Sequence, residues 1–347
     1  MANHKEKPME PALPPPAHVQ VIQMATGYLL SRAIYVAARL GIADLLADGA
    51  KTADELAQST ETHAPSLYRL MRTLASVGYF KESADHRFTL DELGAALRTD
   101  APGAARSSVL ALSGQWIWKA WEEFLYTVKT GETAFDKVFG VSLFGYLAQH
   151  PAEAKLFGEA MIGFHGSEPP AVADAYDFSD VSTLVDIGGG TGNLLGTILR
   201  RNERIKGIVY DLAHVVPEAL KNFRAWGIAD RASAEPGSFF ESVPAGADAY
   251  LLSHVIHDWD EEKCLTILRN CRAAMRDTSR LLIVEYVLPS GNAPHLGKIL
   301  DLMMLTVPGG MERSDEQYRE LLSNAGLHLT RIIPTATQVS VIEAIRA

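Results

Sequence analysis

The sequence predicts an α/β protein: a mostly parallel sheet with helices on both faces in the C-terminal half, preceded by an all-helical segment that contains a winged helix. Three observations lead there. Downstream of Val181 short β-branched runs alternate with amphipathic helices, and upstream of Ser167 apolar residues recur at helical spacing. The composition, 47% hydrophobic and 21% charged over 347 residues, is that of a chain able to bury a large core. This length suits about two domains at roughly 100 to 200 residues each. Disordered tails and fibrous repeats are excluded.

Residues 1–17, with Lys5, Glu6, Lys7 and a proline-rich run over 11–16, read as a disordered leader without the apolar stretch of a signal peptide. Residues 18–168 read as helical. Over 19–46, Ile22, Leu29, Leu30, Ala33, Val36, Ala37 and Leu40 recur at steps of three and four, and the pattern restarts after Gly41. With Ile34 and Tyr35 the apolar surface is wider than one core-facing stripe, which predicts that a partner subunit covers the rest. Over 51–98 the order is helix 52–57, helix 64–77, Gly78, then a hairpin of 79–81 with 87–89, a winged helix-turn-helix. A DNA-binding version would set Arg69 and Arg72 against phosphates, yet this stretch holds seven acidic and six basic residues and no positive face emerges. The aromatic cluster Trp116, Trp118, Trp121 and Phe124 suits core or dimer packing better than a substrate wall.

Gly166, Ser167, Pro169 and Pro170 read as a linker, leaving 169–347 as the second domain. There the runs 183–187, 207–210, 249–253 and 280–285 predict parallel strands. The last two runs, 327–333 and 339–345, are separated only by a Pro334 turn and predict an antiparallel pair at the sheet edge.

Composition also excludes partners. With 42 acidic against 32 basic residues the net charge is -10, a poor match for nucleic acid or an anionic membrane. Arg32 and Arg39 interrupt the longest apolar helical stretch, so no membrane span is predicted. Cys264 and Cys271, the only cysteines, lie on one predicted helix, where they build neither a disulfide framework nor a zinc cage; a cytoplasmic location fits.

The chemistry gathers at strand ends. Asp186-Ile187-Gly188-Gly189-Gly190-Thr191-Gly192-Asn193 closes the first strand and opens a helix, so Gly188 and Gly190 let a ligand approach a helix N-terminus. A dinucleotide fingerprint requires glycine at 193, which is asparagine, and no phosphate-cradling lysine motif occurs. Asp186 would repel a pyrophosphate and suits a cationic or zwitterionic ligand. Asp211, just past the second strand, is placed to accept both hydroxyls of a ribose. S-adenosylmethionine carries a ribose, an amino acid and a sulfonium, and no phosphate. After the strand at 249–253 comes His254-Val255-Ile256-His257-Asp258-Trp259, where His257 is the candidate general base. Glu285 at the end of the next run and Glu312, just ahead of a Ser314–Gln317 capping box, are carboxylates able to fix the tautomer of that imidazole.

The motifs at 186–192, Asp211-Leu212, Gly237-Ser238-Phe239-Phe240, His257-Asp258-Trp259, Glu285 and Gly309-Gly310-Met311-Glu312-Arg313 together resemble, in order and spacing, the S-adenosylmethionine-dependent small-molecule O-methyltransferases of the caffeic-acid and acetylserotonin type. The likeness extends from about Val19 to the end and looks closest to bacterial members that decorate aromatic natural products, such as the carminomycin and mitomycin enzymes. The resemblance implies a Rossmann-like catalytic sheet, a homodimer formed through the helical N-terminal part, no metal, and methyl transfer to a hydroxyl of an aromatic or polyketide-like acceptor with S-adenosylhomocysteine as by-product. It implies that His257 deprotonates the acceptor, that Glu285 and Glu312 hold its ring, and that Asp258 belongs to the same motif. Asp186, Gly188, Gly190, Asp211, Leu212, Ser238, Phe239 and Ser253 would line the cofactor; Phe157, Met161, Phe164, Met303 and Met304 would border the acceptor. Ser238 departs from the aspartate usual in the family, which predicts a weaker hold on the adenine amino group. Two alternatives are a relative that keeps the fold for hydroxylation or decarboxylation, and a winged-helix regulator of DNA.

Overall fold

The computed structural model describes residues 14–347. All but the last four residues of the expected leader therefore lie outside the described residues, and Ala17 already begins a helix. The chain divides into two compact units at Ala101/Pro102.

In the first unit the apolar run forms three helices, Ala17–Ala25, Tyr28–Arg39 and Ile42–Leu45, with the expected restart after Gly41 and one further break before Tyr28. Gly27 breaks the first junction and Gly41, in the left-handed region at φ +66°, breaks the second. The winged helix is present, with strands β1 (Lys51–Thr52), β2 (Phe80–Glu82) and β3 (Arg87–Leu90) in the order β1-β3-β2 beside helices Ala53–Thr60 and Ala64–Ala75. Thr52 starts its helix with a capping box, its hydroxyl accepting from Glu55 N at 3.2 Å while the Glu55 carboxylate accepts from Thr52 N at 2.7 Å. Leu56, Met71, Leu74, Phe80 and Phe88 form the core here, whereas Ile22, Met24 and Leu29 are exposed. The stretch Ala17–Arg39 is long and apolar enough to cross a membrane by length and composition. The turn at Thr26–Gly27 divides it, and neither piece alone reaches the roughly 20 residues of a span.

The second unit is built on strands β4 (Thr183–Ile187), β5 (Lys206–Asp211), β6 (Ala232–Pro236), β7 (Ala249–Ser253), β8 (Arg280–Leu288), β9 (Arg313–Ser314), β10 (Leu327–Pro334) and β11 (Val339–Arg346). The main path runs β10-β11-β8-β7-β4-β5-β6, with β9 pairing β8. From β8 to β6 every pairing is parallel, while β10 and β11 are antiparallel to each other and β11 is antiparallel to β8. Successive residues on the strands face opposite layers, as strand geometry demands: Val185, Tyr250 and Leu281 pack with Ile267, Leu268 and Tyr318, whereas Leu184, Leu251 and Leu282 pack with Leu195, Ile198 and Val172. Strand β6 was not anticipated; Ala-Ser-Ala-Glu-Pro at an exposed edge carries no β-branched or aromatic residue to mark it.

The linker expected at 167–170 is the start of helix Glu168–Ala175, with Pro169 and Pro170 in its first turn, where a missing N–H loses nothing. The domain boundary expected at 168/169 is also displaced. Helices between 105 and 164 pack with the catalytic half: Trp116, Phe135, Leu143 and Ala160 share a core with Val307 and Met303.

Because β5 and β7 both flank β4 in parallel register, Ile187 lies beside Tyr210 on one side and Leu252 on the other, and Ser253 beside Val284. The carboxyl ends of β4, β5, β7 and β8 therefore open onto one crevice at the point where the strand order reverses, the expected ligand position in an open α/β sheet.

Candidate active site

The crevice has a ligand-holding half and a reacting half. In the first, Gly188, Gly190 and Gly192 all adopt left-handed backbone, and a Cβ on Gly190 would meet nothing within 4 Å, so open space lies above the loop. Gly188 is hemmed in instead, 2.9 Å from Val255 and 3.5 Å from Phe239 if it bore a Cβ, which places the Phe239 ring over the loop. Asp211 straps the loop down: Oδ2 accepts from Gly190 N at 2.8 Å and Oδ1 from Leu212 N at 2.7 Å. Ser238 lies beyond Gly237, whose N–H donates to the Asp211 carbonyl at 2.9 Å; its hydroxyl accepts from Phe240 N at 3.3 Å. Ser253 ends β7 half-buried.

Asp186 is 1% exposed, and among the described residues neither carboxyl oxygen finds a hydrogen-bond partner. Burial, reinforced by the nearby Asp211 charge, pushes its carboxyl up to about 8. An orphaned acidic group beneath an open glycine loop, with a second carboxylate at the next strand end, fits a ligand bearing an ammonium and a ribose, as S-adenosylmethionine does.

In the reacting half, His257 sits in the short 3₁₀ turn Ile256–Asp258 after β7 and is 7% exposed. Its Nδ1 is 2.9 Å from Glu312 Oε1, and its Nε2 is 3.7 Å from Asp258 Oδ1. Glu285 departs from expectation. It does not hold the ring; its Oε1 accepts from the His257 backbone N–H at 3.1 Å and its Oε2 from the Tyr318 hydroxyl at 2.5 Å. The reason is register: Glu285 lies on β8 two residues beyond the partner of Leu252, below the turn that carries the imidazole. Burial opposes the imidazolium of His257, but the carboxylates of Asp258, Glu312 and Glu285 outweigh it and hold the ring up at about 10. Burial raises both Asp258, to about 6, and Glu312.

Several residues that complete the site carried no role in the sequence reading. Asp301 Oδ1 accepts from Glu312 N at 2.8 Å. Arg313 is buried and donates to the carbonyls of Ile256 and Met311 at 3.3 Å each, tying together the two loops that carry His257 and Glu312. The Ser314–Gln317 capping box forms as expected. Arg313 stands in the Gly-Gly-Met-Glu-Arg motif, which was its only signal. Of the five residues expected at the acceptor, Phe157, Met161 and Met303 gather with Trp116 in one cluster. Phe164 instead packs edge-on against His165 with centroids 5.1 Å apart, and Met304 offers its carbonyl to Gly309 N at 2.9 Å. Two groups of side chains, His165–Glu168–His254 and His257–Glu285–Glu312, each bring three potential ligand atoms within 4.8 Å of one another.

An open parallel sheet with a glycine loop, carboxylates at two neighbouring strand ends and a buried imidazole–carboxylate pair has the layout of a cofactor-dependent enzyme of the open α/β class. The chain matches an O-methyltransferase domain over residues 121–328 and an O-methyltransferase dimerisation domain over 22–100. It is 45% identical to phenazine O-methyltransferase PhzM of Lysobacter antibioticus, over 93% of this chain and 95% of that one. The crystal structure of LaPhzM superposes with a TM-score of 0.92 at 44% identity, covering 96% of this chain and all of the other. The O-methyltransferase NcsB1 from neocarzinostatin biosynthesis, solved with S-adenosylmethionine and 2-hydroxy-5-methyl naphthoic acid, has a TM-score of 0.82 at 34% identity over 92% of this chain and 96% of that one. The chain belongs to the S-adenosylmethionine-dependent O-methyltransferase family, and its winged helix falls inside the dimerisation domain of that family.

Proposed function

We propose that the enzyme methylates a hydroxyl of an aromatic or polyketide-like small molecule, with His257 as general base. The observation that carries this reading is the Glu312–His257 pair at 2.9 Å, buried at the mouth of the same crevice as the glycine loop. S-adenosylmethionine supplies an electrophilic methyl on a cationic sulfur. Asp186, Gly188, Gly190, Asp211, Leu212, Ser238, Phe239 and Ser253 hold it; Phe157, Met161, Phe164, Met303 and Met304 border the acceptor ring. Glu312 accepts from Nδ1–H, so in the neutral form of the ring the Nε2 lone pair faces the acceptor hydroxyl and takes its proton. Asp258, beside Nε2, and Glu285, through the backbone, stabilise the turn and the imidazolium. Alignment of acceptor and methyl supplies on the order of 7 to 11 kcal/mol, more than the base contributes. A second copy of the chain covers Ile22, Met24 and Leu29, and the two unpaired, buried cysteines suit the cytoplasm. The test is methyl-labelled S-adenosylmethionine with a panel of phenols and hydroxyquinones; absence of a labelled product with every member overturns the reading.

The carboxylates around His257 give a pH signature. Holding the imidazolium up at about 10 means that the base form grows as pH rises, so kcat/KM should climb with pH through a midpoint above the ordinary imidazole value of about 6.5. Glu312→Gln removes a charge that favours the imidazolium, so the midpoint of the kcat/KM profile should fall; an unmoved midpoint would show that another group titrates. Ser238 gives a separate prediction. Ser238→Asp provides a charged acceptor, and charge-assisted bonds are roughly twice as strong as neutral ones, so calorimetry should show cofactor binding tightened by about fivefold.

A further inference from the structure

The charges around the reacting half bear on what the acceptor carries beside its hydroxyl. Three carboxylates close on the His257 ring: Glu312 Oε1 at 2.9 Å from Nδ1, Asp258 Oδ1 at 3.7 Å from Nε2, and Glu285, which takes the backbone N–H at 3.1 Å. Burial pushes Asp258 up only to about 6, which leaves it mostly ionised at pH 7. A fourth carboxylate follows behind His254, whose ring centroid is 5.1 Å from that of His257 and whose Nε2 is 2.6 Å from Glu168 Oε2. Burial opposes the Glu168 anion, but bonds from His165 Nδ1 at 3.1 Å and from His254 outweigh it and hold the carboxyl down at about 2. Burial also pushes His254 down to about 4, so that ring is neutral at pH 7 and leaves the Glu168 charge uncancelled. Glu168, Glu285 and Glu312 are buried, and salt screens such charges little.

The cations of the bordering segments are engaged elsewhere. Helix Pro151–Phe164, which carries Phe157, Met161 and Phe164, holds one lysine, and Lys155 is bonded to Glu159 at 2.5 Å. Helix Leu296–Thr306, which carries Met303 and Met304, holds Lys298, whose ammonium donates to the carbonyls of Gly291 and Ala293 at 2.7 and 3.0 Å. Arg313, beside Glu312, donates to the carbonyls of Ile256 and Met311. The walls are apolar: the Phe157 ring stands edge-on to Trp116 with centroids 6.1 Å apart, and Met161 and Met303 join the same cluster.

We propose that the acceptor is a planar aromatic hydroxyl compound that is neutral or cationic beside the reacting oxygen, and that the crevice rejects analogues bearing a carboxylate there. This rests on the reading that His257 receives the hydroxyl proton. A hydroxyl in hydrogen-bond reach of Nε2, about 2.6–3.2 Å, stands within about 7 Å of the Asp258 carboxylate, so a substituent ortho or peri to it enters the same charged surroundings. A carboxylate in that place meets Asp258, Glu285, Glu312 and Glu168 against the one imidazolium. Like charges brought together out of water weaken binding by at least about tenfold. A neutral substituent meets no such repulsion, and an ammonium is attracted. Rejection of the wrong charge supplies the specificity, while aromatic and thioether walls supply the hold on the flat ring.

The experiment uses the full chain saturated with S-adenosylhomocysteine, so that no sulfonium is present to draw an anion, and titration calorimetry at neutral pH. The probes are methyl 3-hydroxy-2-naphthoate, 3-hydroxy-2-naphthoic acid and 3-(aminomethyl)-2-naphthol, which share ring and hydroxyl and differ in the charge of one neighbouring group. The ester and acid pair is repeated on phenazine and anthraquinone rings. The ester should bind at least about tenfold more tightly than the acid, and the amine no more weakly than the ester. Asp258→Asn removes the nearest charge, so the ratio of ester to acid affinity should fall by at least about threefold. Acid and ester bound alike, the acid preferred, no ester bound on any of the three rings, or a ratio unmoved in Asp258→Asn overturns the proposal; the wild-type ratio decides even where the variant fails to fold. Transfer of a labelled methyl separates this from the reading beneath it. If the esters bind and gain no methyl, the assigned reaction fails and the charge preference stands; if the acid is methylated as fast as the ester, the preference fails and the reaction stands.

Discussion

His257→Ala should lower kcat by about 10²- to 10⁴-fold at neutral pH while leaving the dissociation constant for S-adenosylmethionine within a few-fold of wild type. The expectation follows from where the ring stands. Its nitrogens face Glu312 and Asp258, and among the described residues none of its hydrogen bonds reaches the glycine loop, Asp211 or Ser238, so removal takes away a proton acceptor and little of the cofactor's hold. Above the midpoint of the wild-type profile the loss should shrink, because the base form of His257 no longer grows there while an acceptor with an acidic hydroxyl goes on ionising unaided. Steady-state kinetics with calorimetry on the same variant checks both halves. A collapse of cofactor affinity with turnover preserved at saturation would remove His257 from the role of base.

Gly310→Ala should be comparably damaging, although residue 310 carries no functional group. A Cβ there would lie 1.9 Å from the His257 carbonyl oxygen and 2.6 Å from the Asp258 carbonyl carbon, both rigid backbone. Met311 N donates to that same His257 oxygen at 2.9 Å, so the segment bearing Glu312 is docked directly on the turn bearing the imidazole. Forcing them apart costs about 1–3 kcal/mol of overpacking, and a displacement of about 1 Å between acid and base partners costs about 10²-fold in rate. The expected result is a melting temperature lowered by several degrees, kcat down about a hundredfold, and cofactor affinity kept. Wild-type kinetics in Gly310→Ala would mean that the two loops are held together by something other than this contact, with the Arg313 clamp the alternative.

Much of this was readable beforehand because short motifs and strand ends coincide. The runs at 183–187 and 249–253 match β4 and β7 residue for residue, since a buried parallel strand reads as a short, mostly apolar run and a ligand loop needs glycine. The edge strand β6 was invisible, being neither apolar nor β-branched. Residues 102–164 looked like part of the N-terminal domain because helical periodicity records that a face is buried and not what buries it; their partners Met303 and Val307 lie far along the chain. The same limit applies to the site. His257 and Glu312 could be paired by chemistry, but the attachment of Glu285 to the backbone depends on β8 register, and the meeting of Glu168 with His254 spans 86 residues.

Asp186 gives the binding step a measurable by-product. Alone in the crevice its carboxyl is held up at about 8, so at pH 7 it carries hydrogen for most of the time. On the proposed cofactor placement, an ammonium group beside Asp186 would make the anion the preferred form, and the displaced hydrogen ion would pass to the medium. Cofactor uptake at neutral pH should therefore acidify a weakly buffered solution, with apparent heats that vary with the buffer's own ionisation enthalpy, and Asp186→Asn should abolish that variation.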